Sequence, residues 1–300
     1  MAGCDSLKML YRYAVFAAIC SLLIIISGAI VTSRQPVPPA TPEALADSRV
    51  ASQVVETDQL QQVHRIAAFA MTTLMLGLAV WLSIAKTSRT LRCVAWSAAA
   101  LLILEVGLGE VAAHGRMSAS AAFSHAYLAQ IYFTLAVVIA LFTSPSWSRD
   151  RELVDDRFSL RAMSLYVPIL LLLQIALGAA YRHQAMGVLW HIFGAFVVAI
   201  FVLLVGVLTV KQYPAHSTLR SAAIWLMSIA GAQVLLGFTA FVMRLLTNQP
   251  TLPVVIVTTA HVATGALTLA AGFVLTIQIR RHVRATAAAL AEPSAQTGRP

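Results

Sequence analysis

Residues 188–210 read VLWHIFGAFVVAIFVLLVGVLTV and contain no Asp, Glu, Lys or Arg. A helix of this length crosses the hydrocarbon core of a bilayer, which takes about 20 apolar residues. Of all 300 residues, 59% are hydrophobic and 11% are charged. A water-soluble fold of this size cannot bury so much apolar surface, and the chain is therefore predicted to be an integral membrane protein.

Eight stretches of this kind run along the chain and predict an all-α protein with eight transmembrane helices. The first stretch is open to a second interpretation as a cleaved signal sequence. Its roughly twenty apolar residues are long for that role and favour a retained helix. The predicted spans are residues 11–32, 60–84, 92–112, 122–143, 162–181, 188–210, 219–242 and 254–279.

The basic residues predict the orientation of these spans. The net charge is +9, and the basic residues that produce it lie in short loops between the spans. Their positions therefore indicate membrane topology and not nucleic-acid binding. Fifteen of the 21 Lys and Arg residues fall on one side, which places both termini in the cytoplasm. The connection Ser33–Gln59 is predicted to be an outer loop, either a lid or a flexible strap.

A weak internal repeat divides the chain into two halves. The spacing of Glu105 and Gly109 in the third span matches that of Gln233 and Gly237 in the seventh. Because each half has an even number of spans, the halves share one orientation, which predicts two parallel-repeat four-helix bundles. The predicted segments are a cytoplasmic N-terminus (1–10), an N-terminal bundle (11–143), a cytoplasmic linker (144–161), a C-terminal bundle (162–279) and a disordered tail (280–300).

Four histidines begin the even-numbered spans at the outer leaflet: His64, His125, His191 and His261. Ionisable side chains within spans are rare and usually functional, although an interhelical hydrogen bond is an alternative. Each histidine is followed four residues later by Ala or Gly, which leaves room for a flat macrocycle. Zinc usually recruits Cys or carboxylate ligands as well, so two heme sites with paired imidazole ligands are predicted.

Other polar residues near the ends of the spans are weaker candidates. Four outer arginines are expected to bind heme propionates or to anchor lipid headgroups: Arg65, Arg116, Arg182 and Arg244. The remaining histidines are interpreted as ordinary surface groups, with His183 also a candidate at the heme edge. They are His114 and His183 in outer loops, and His216 and His282 among cytoplasmic basic residues.

Several short motifs occur at the ends of the spans in both halves: GAIVTS from Gly28, His64-Arg65, SHAYLAQIYF from Ser124, LGAAYRH from Leu177, His191, AQVLLG from Ala232 and TTAHVATGA from Thr258. In order, spacing and sidedness these motifs resemble the heme A synthase family over residues 11–280. The resemblance implies oxidation of a ring methyl of heme O to the formyl group of heme A, in support of a terminal oxidase. It also implies that His191 and His261 hold heme b, while His64 and His125 line the site of the substrate heme.

The resemblance further implies that a heme O synthase delivers the substrate, while the electron acceptor and any homo-oligomer stay open. The lack of an Arg-rich amphipathic presequence favours a bacterial inner membrane over an organelle.

One position departs from the family pattern, in which a glutamate stands three residues before the first histidine. This chain has Gln61 there, and an amide cannot take up a proton at ordinary pH. Glu56, Glu105 and Glu110 are therefore the candidate catalytic acids. The alternative is a non-catalytic bis-histidine membrane cytochrome or heme carrier. A transporter built on parallel repeats receives little support, because broken helices and a central polar cluster are not evident.

Overall fold

The computed structural model describes residues 4–34, 48–113, 118–148, 151–156, 159–247 and 249–284. This part of the chain forms eight long helices and one pair of two-residue strands. The elements are α1 (Cys4–Arg34), α2 (Ser48–Ile84), α3 (Arg89–Ala113), α4 (Ala119–Thr143), β1 (Val154–Asp155), α5 (Leu160–Arg182), α6 (Val188–Gln212), α7 (Ser217–Leu246), α8 (Leu252–His282) and β2 (Val283–Arg284).

All eight helices are long and apolar enough to cross a membrane. The predicted helical membrane fold and the number of spans are therefore confirmed. The helices extend a few residues beyond the apolar stretches, because a helix continues from the hydrocarbon core into the headgroup region.

The beginning of α2 differs most from the prediction. Residues 48–59 belong to α2, so the second part of the expected loop Ser33–Gln59 is helical. This segment contains neither Gly nor Pro, so nothing in it breaks a helix that the following apolar residues stabilise. Residues 35–47 lie outside the described part of the chain.

Each half of the chain packs as a ring of four helices. Helices α1 to α4 contact one another in sequence and α4 returns to α1, and α5 to α8 do the same. The halves meet where α8 packs against α1 and α4. Small residues permit close approach within the bundle: a Cβ at Gly272 of α8 would lie only 2.5 Å from Leu171 Cδ1 of α5.

A proline within α5 illustrates how the bundle satisfies backbone groups. Pro168 has no N–H, so the carbonyl of Ser164 loses its usual helical partner. Thr276 of α8 donates its hydroxyl to this carbonyl at 2.7 Å. The interhelical bond compensates for the missing backbone bond where water is absent.

The linker side of the bundle, defined by residues 144–161, contains the pair of short strands. β1 pairs in parallel with β2, with Val154 opposite Val283 and Asp155 opposite Arg284. The tail predicted to be disordered from residue 280 is therefore helical or extended up to Arg284. Residues 285–300 lie outside the described part.

Two histidines are buried beneath this strand pair. His216 is 4% exposed and His282 is 7% exposed, and their ring centres lie 4.7 Å apart. His282 Nδ1 lies 3.0 Å and His216 Nε2 lies 3.3 Å from the backbone oxygen of Glu152. The interpretation of both as ordinary surface groups is wrong, because the linker folds back over residues that are distant in sequence.

Candidate functional site

The structure brings the four span histidines together in the two expected pairs. The ring centres of His64 on α2 and His125 on α4 lie 6.5 Å apart, with the planes at 89°. The ring centres of His191 on α6 and His261 on α8 lie 6.2 Å apart, with the planes at 87°. Because α2 begins at Ser48, His64 lies well inside its helix and not near its first turn.

The spacing within each pair matches that of two imidazoles on opposite sides of one metal ion. A ligating nitrogen lies about 2 Å from its metal and the ring centre about 1.1 Å further, so the two ring centres would be about 6.3 Å apart. The observed distances lie on either side of this value. The ring-centre distances are therefore compatible with a metal between the rings of each pair.

Each of the four rings lies against a glycine of the preceding helix. A Cβ added at the glycine would lie 3.0 Å from the ring of His64, 3.8 Å from that of His125, 2.9 Å from that of His191 and 2.8 Å from that of His261. Three of these distances are too short for an alanine without movement of the ring. The contacts are Gly28 with His64, Gly109 with His125, Gly178 with His191 and Gly237 with His261.

Polar groups of α1 and α3 hold the rings of the N-terminal pair. Ser27 Oγ lies 2.7 Å from His64 Nδ1. Because the Ser27 hydroxyl donates to the Ile24 carbonyl at 2.8 Å, its oxygen is available to accept from Nδ1–H. Glu105 Oε2 lies 2.8 Å from His125 Nδ1. The Ser27 contact favours the tautomer of His64 that leaves Nε2 available as a metal ligand. Glu105 lies against His125 Nδ1 as a neighbouring carboxylate, and that nitrogen has no well-aligned hydrogen bond among the described residues.

Two glutamines hold the rings of the C-terminal pair. The Gln174 amide nitrogen donates to the backbone oxygen of His191 at 2.9 Å and lies 3.0 Å from its Nδ1. His261 Nδ1 lies 3.2 Å from the backbone oxygen of Gln233. The Gln233 amide nitrogen lies 3.4 Å from His261 Nε2. A Cβ at Gly265 would lie 3.1 Å from the same Gln233 amide nitrogen.

Sequence reasoning missed Ser27, Gln174, Gly28 and Gly178 as neighbours of the histidines. A signal for two of them was present, because Gln174 and Gly178 have the same four-residue spacing as Glu105 with Gly109 and Gln233 with Gly237. This spacing places both residues on one face of a helix. Ser27 has no such counterpart, and only the contact with His64 identifies it.

The three candidate acids have different surroundings. Glu105 is 4% exposed and contacts His125. Glu110 forms a two-point ion pair with Arg65 of α2, at 2.9 and 2.5 Å. Glu56 pairs with Arg34 at the end of α1. Gln61 lies one turn before His64 on α2 and is partly exposed.

The four arginines expected to bind heme propionates are positioned less uniformly than predicted. Arg65 is paired with Glu110, and Arg182 donates to the Ala29 carbonyl at 3.0 Å and to Ser33 Oγ at 2.9 Å. Arg182 thus joins α5 to α1 across the two halves. Arg244 ends α7 and is partly exposed, while Arg116 and His114 lie outside the described residues.

His183 lies at the end of α5, beside Arg182. Its Nε2 is buried and has no hydrogen-bond partner among the described residues. Burial lowers the pKa of His183, and the charge of Arg182 lowers it further. Both effects favour the neutral imidazole.

The fold and spans define the class of protein as a helical, multi-pass membrane protein. Comparison with protein-family models and with curated proteins found no match. The two histidine pairs and their immediate neighbours are therefore the basis for the function proposed below.

Proposed function

We propose that the protein is a heme A synthase-like oxidoreductase that converts heme O to heme A by oxidising a ring methyl to a formyl group. The observation that carries this proposal is the arrangement of the four imidazoles in two pairs. Within each pair the ring planes are nearly perpendicular, and the ring centres lie 6.5 and 6.2 Å apart. Within the described residues no group of three or more His, Cys, Asp or Glu side chains is arranged to hold a metal ion. Two imidazoles suit heme iron, because the macrocycle supplies four further nitrogens.

The two pairs have different roles in this proposal. His191 and His261 hold heme b, and His64 and His125 flank the substrate, heme O. A bound heme supplies the electron-transfer capacity that amino-acid side chains lack. The protein contributes binding and orientation: the neighbouring glycines admit the rings, and the groups at Nδ1 fix their rotation.

Glu105 is the carboxylate best placed to act at the substrate site. It contacts His125 directly, whereas Glu56 and Glu110 are each paired with an arginine. Gln61 occupies the position of the family's glutamate but cannot exchange a proton at ordinary pH. Arg65 and Arg182 remain the proposed partners of the propionates, at the rim of the sites.

The proposal includes an arrangement in the membrane. The two rings of helices are parallel repeats, and both termini face the cytoplasm across a bacterial inner membrane. The supporting observations are the helix contacts within each half and the bias of basic residues, fifteen of 21, to one side. A heme O synthase supplies the substrate.

A second candidate function is a non-catalytic bis-histidine cytochrome or heme carrier. Gln61 is the specific observation that favours it, because the position one turn before His64 lacks a group that can transfer a proton. In this alternative both pairs hold heme and neither pair alters it.

The test is expression of the full chain in a host that makes heme O but not heme A, followed by extraction and identification of the hemes. Formyl or hydroxymethyl heme is the expected result. Unaltered hemes with a normal Soret band support the carrier, and a purified protein without Soret absorbance refutes both functions.

Matched variants locate the activity. His64→Ala is expected to abolish the product and to leave about half of the bound heme. Lys86→Ala changes a basic residue in the turn between α2 and α3, which lies beyond the end of α2 and far along that helix from His64. This variant is expected to leave the heme content and the product unchanged. Equal behaviour of the two variants would contradict the assignment of His64.

A further inference from the structure

The two histidine pairs differ at one matched position. Glu105 and Gln233 each precede a ring-contacting glycine by four residues, on α3 and α7 respectively. Glu105 presents a carboxylate oxygen to His125 Nδ1 at 2.8 Å. Gln233 presents its backbone carbonyl to His261 Nδ1 at 3.2 Å, and its side chain adds only an uncharged amide.

The surroundings of Glu105 concentrate its effect on His125. The residue is 4% exposed. Neither its second oxygen, Oε1, nor His125 Nδ1 has a well-aligned hydrogen bond among the described residues, so the 2.8 Å approach of Oε2 to Nδ1 is a close charge contact. Arg65 of α2 contacts α3 at Glu110, where it binds both carboxylate oxygens. The charge of Arg65 is therefore paired with Glu110 and not with Glu105. In a low-dielectric interior the contact of Glu105 with His125 is stronger than in water.

A carboxylate held close to Nδ1 increases the electron density of the imidazole and strengthens its donation through Nε2. Stronger donation stabilises the oxidised state of a bound iron, and so lowers its reduction potential. A backbone carbonyl has the same effect to a smaller extent, because it is uncharged. The C-terminal pair offers only uncharged groups. His261 Nδ1 faces the backbone carbonyl of Gln233, and His191 Nδ1 faces the amide nitrogen of Gln174, a donor that adds no electron density to the ring.

We propose that Glu105 is a positioning residue that acts through His125 and makes iron held by the N-terminal pair harder to reduce than iron held by the C-terminal pair. This inference rests on the proposed binding of heme by both pairs. The asymmetry specialises two otherwise similar sites: one holds its iron oxidised, and the other accepts an electron more readily.

The experiment is a spectroelectrochemical titration of the full-length protein loaded with heme b in both halves. The wild-type protein is expected to show two midpoint potentials. In Glu105→Gln the lower potential is expected to rise while the higher one stays in place. Glu152→Gln, the same chemical change on the linker side, is expected to leave both potentials unchanged.

A second variant assigns the potentials and keeps the test decisive if Glu105→Gln does not fold. His261→Ala is expected to remove the higher potential and to retain the lower one. Retention of the higher potential instead would overturn the inference, as would a Glu105→Gln protein with both potentials unmoved or moved equally. Absence of bound heme from the wild-type protein would refute the proposed function itself, an outcome distinct from two hemes of equal potential.

Discussion

Gly178→Ala tests whether the space beside His191 is required for its function. The new Cβ would lie 2.9 Å from His191 Cε1 and 3.2 Å from Nδ1. Ordinary carbon contacts are about 3.5 to 4.0 Å, so the ring must move by about 0.6 Å or more. In the free variant the ring moves away from the new Cβ, and heme binding must restore its position against an overpacking cost of about 1–3 kcal/mol. This cost corresponds to a loss of roughly 5- to 150-fold in affinity at the C-terminal pair.

The matched control is Gly109→Ala, the corresponding change beside His125. There the new Cβ would lie 3.8 Å from Cε1, which is an ordinary contact, and we expect no loss of heme. The assay is heme titration of detergent-purified protein, followed by Soret absorbance, with size-exclusion chromatography to confirm that each variant is folded. Equal affinity of the two variants would refute the reasoning, because the difference between 2.9 and 3.8 Å is its only basis.

Three further predictions concern stability. Thr276→Val removes the donor to the carbonyl freed by the proline of α5, and should lower the free energy of unfolding by about 1–3 kcal/mol; Thr268→Val, whose hydroxyl only bonds within its own helix, should lower it by less, as thermal unfolding in detergent will show. His282→Ala removes the side chain that contacts the backbone oxygen of Glu152. The variant should loosen the strand pair on the linker side and speed proteolysis near Glu152. Cleavage at the wild-type rate would contradict a role for this contact. Burial lowers the pKa of His183 in the folded protein, so the unfolded chain binds a proton more readily at this residue. The free energy of unfolding should therefore fall as the pH drops below about 6.5. Between pH 7 and pH 5, His183→Gln should lose less of this free energy than the wild-type protein.

Much of the site was predictable because the relevant signals lie within single helices. A histidine in an apolar stretch is visible in the sequence, and so is its depth relative to histidines in other spans. The partners of those histidines were less accessible. Ser27 differs from any serine of a membrane helix only through its contact with His64, and the Arg65–Glu110 pair joins residues on separate helices.

The sequence by itself determined the eight helices, since the hydropathy of about 20 consecutive residues decides whether a segment can span a bilayer, and only a helix satisfies the backbone of an isolated span. It also determined which four histidines lie in those spans. The tertiary structure decided which charges are paired, which groups hold each imidazole, and that His216 and His282 are buried beneath the linker. These features depend on contacts between distant segments, whose rotation and separation are set by packing of the assembled helices and not by the residues adjacent in the chain.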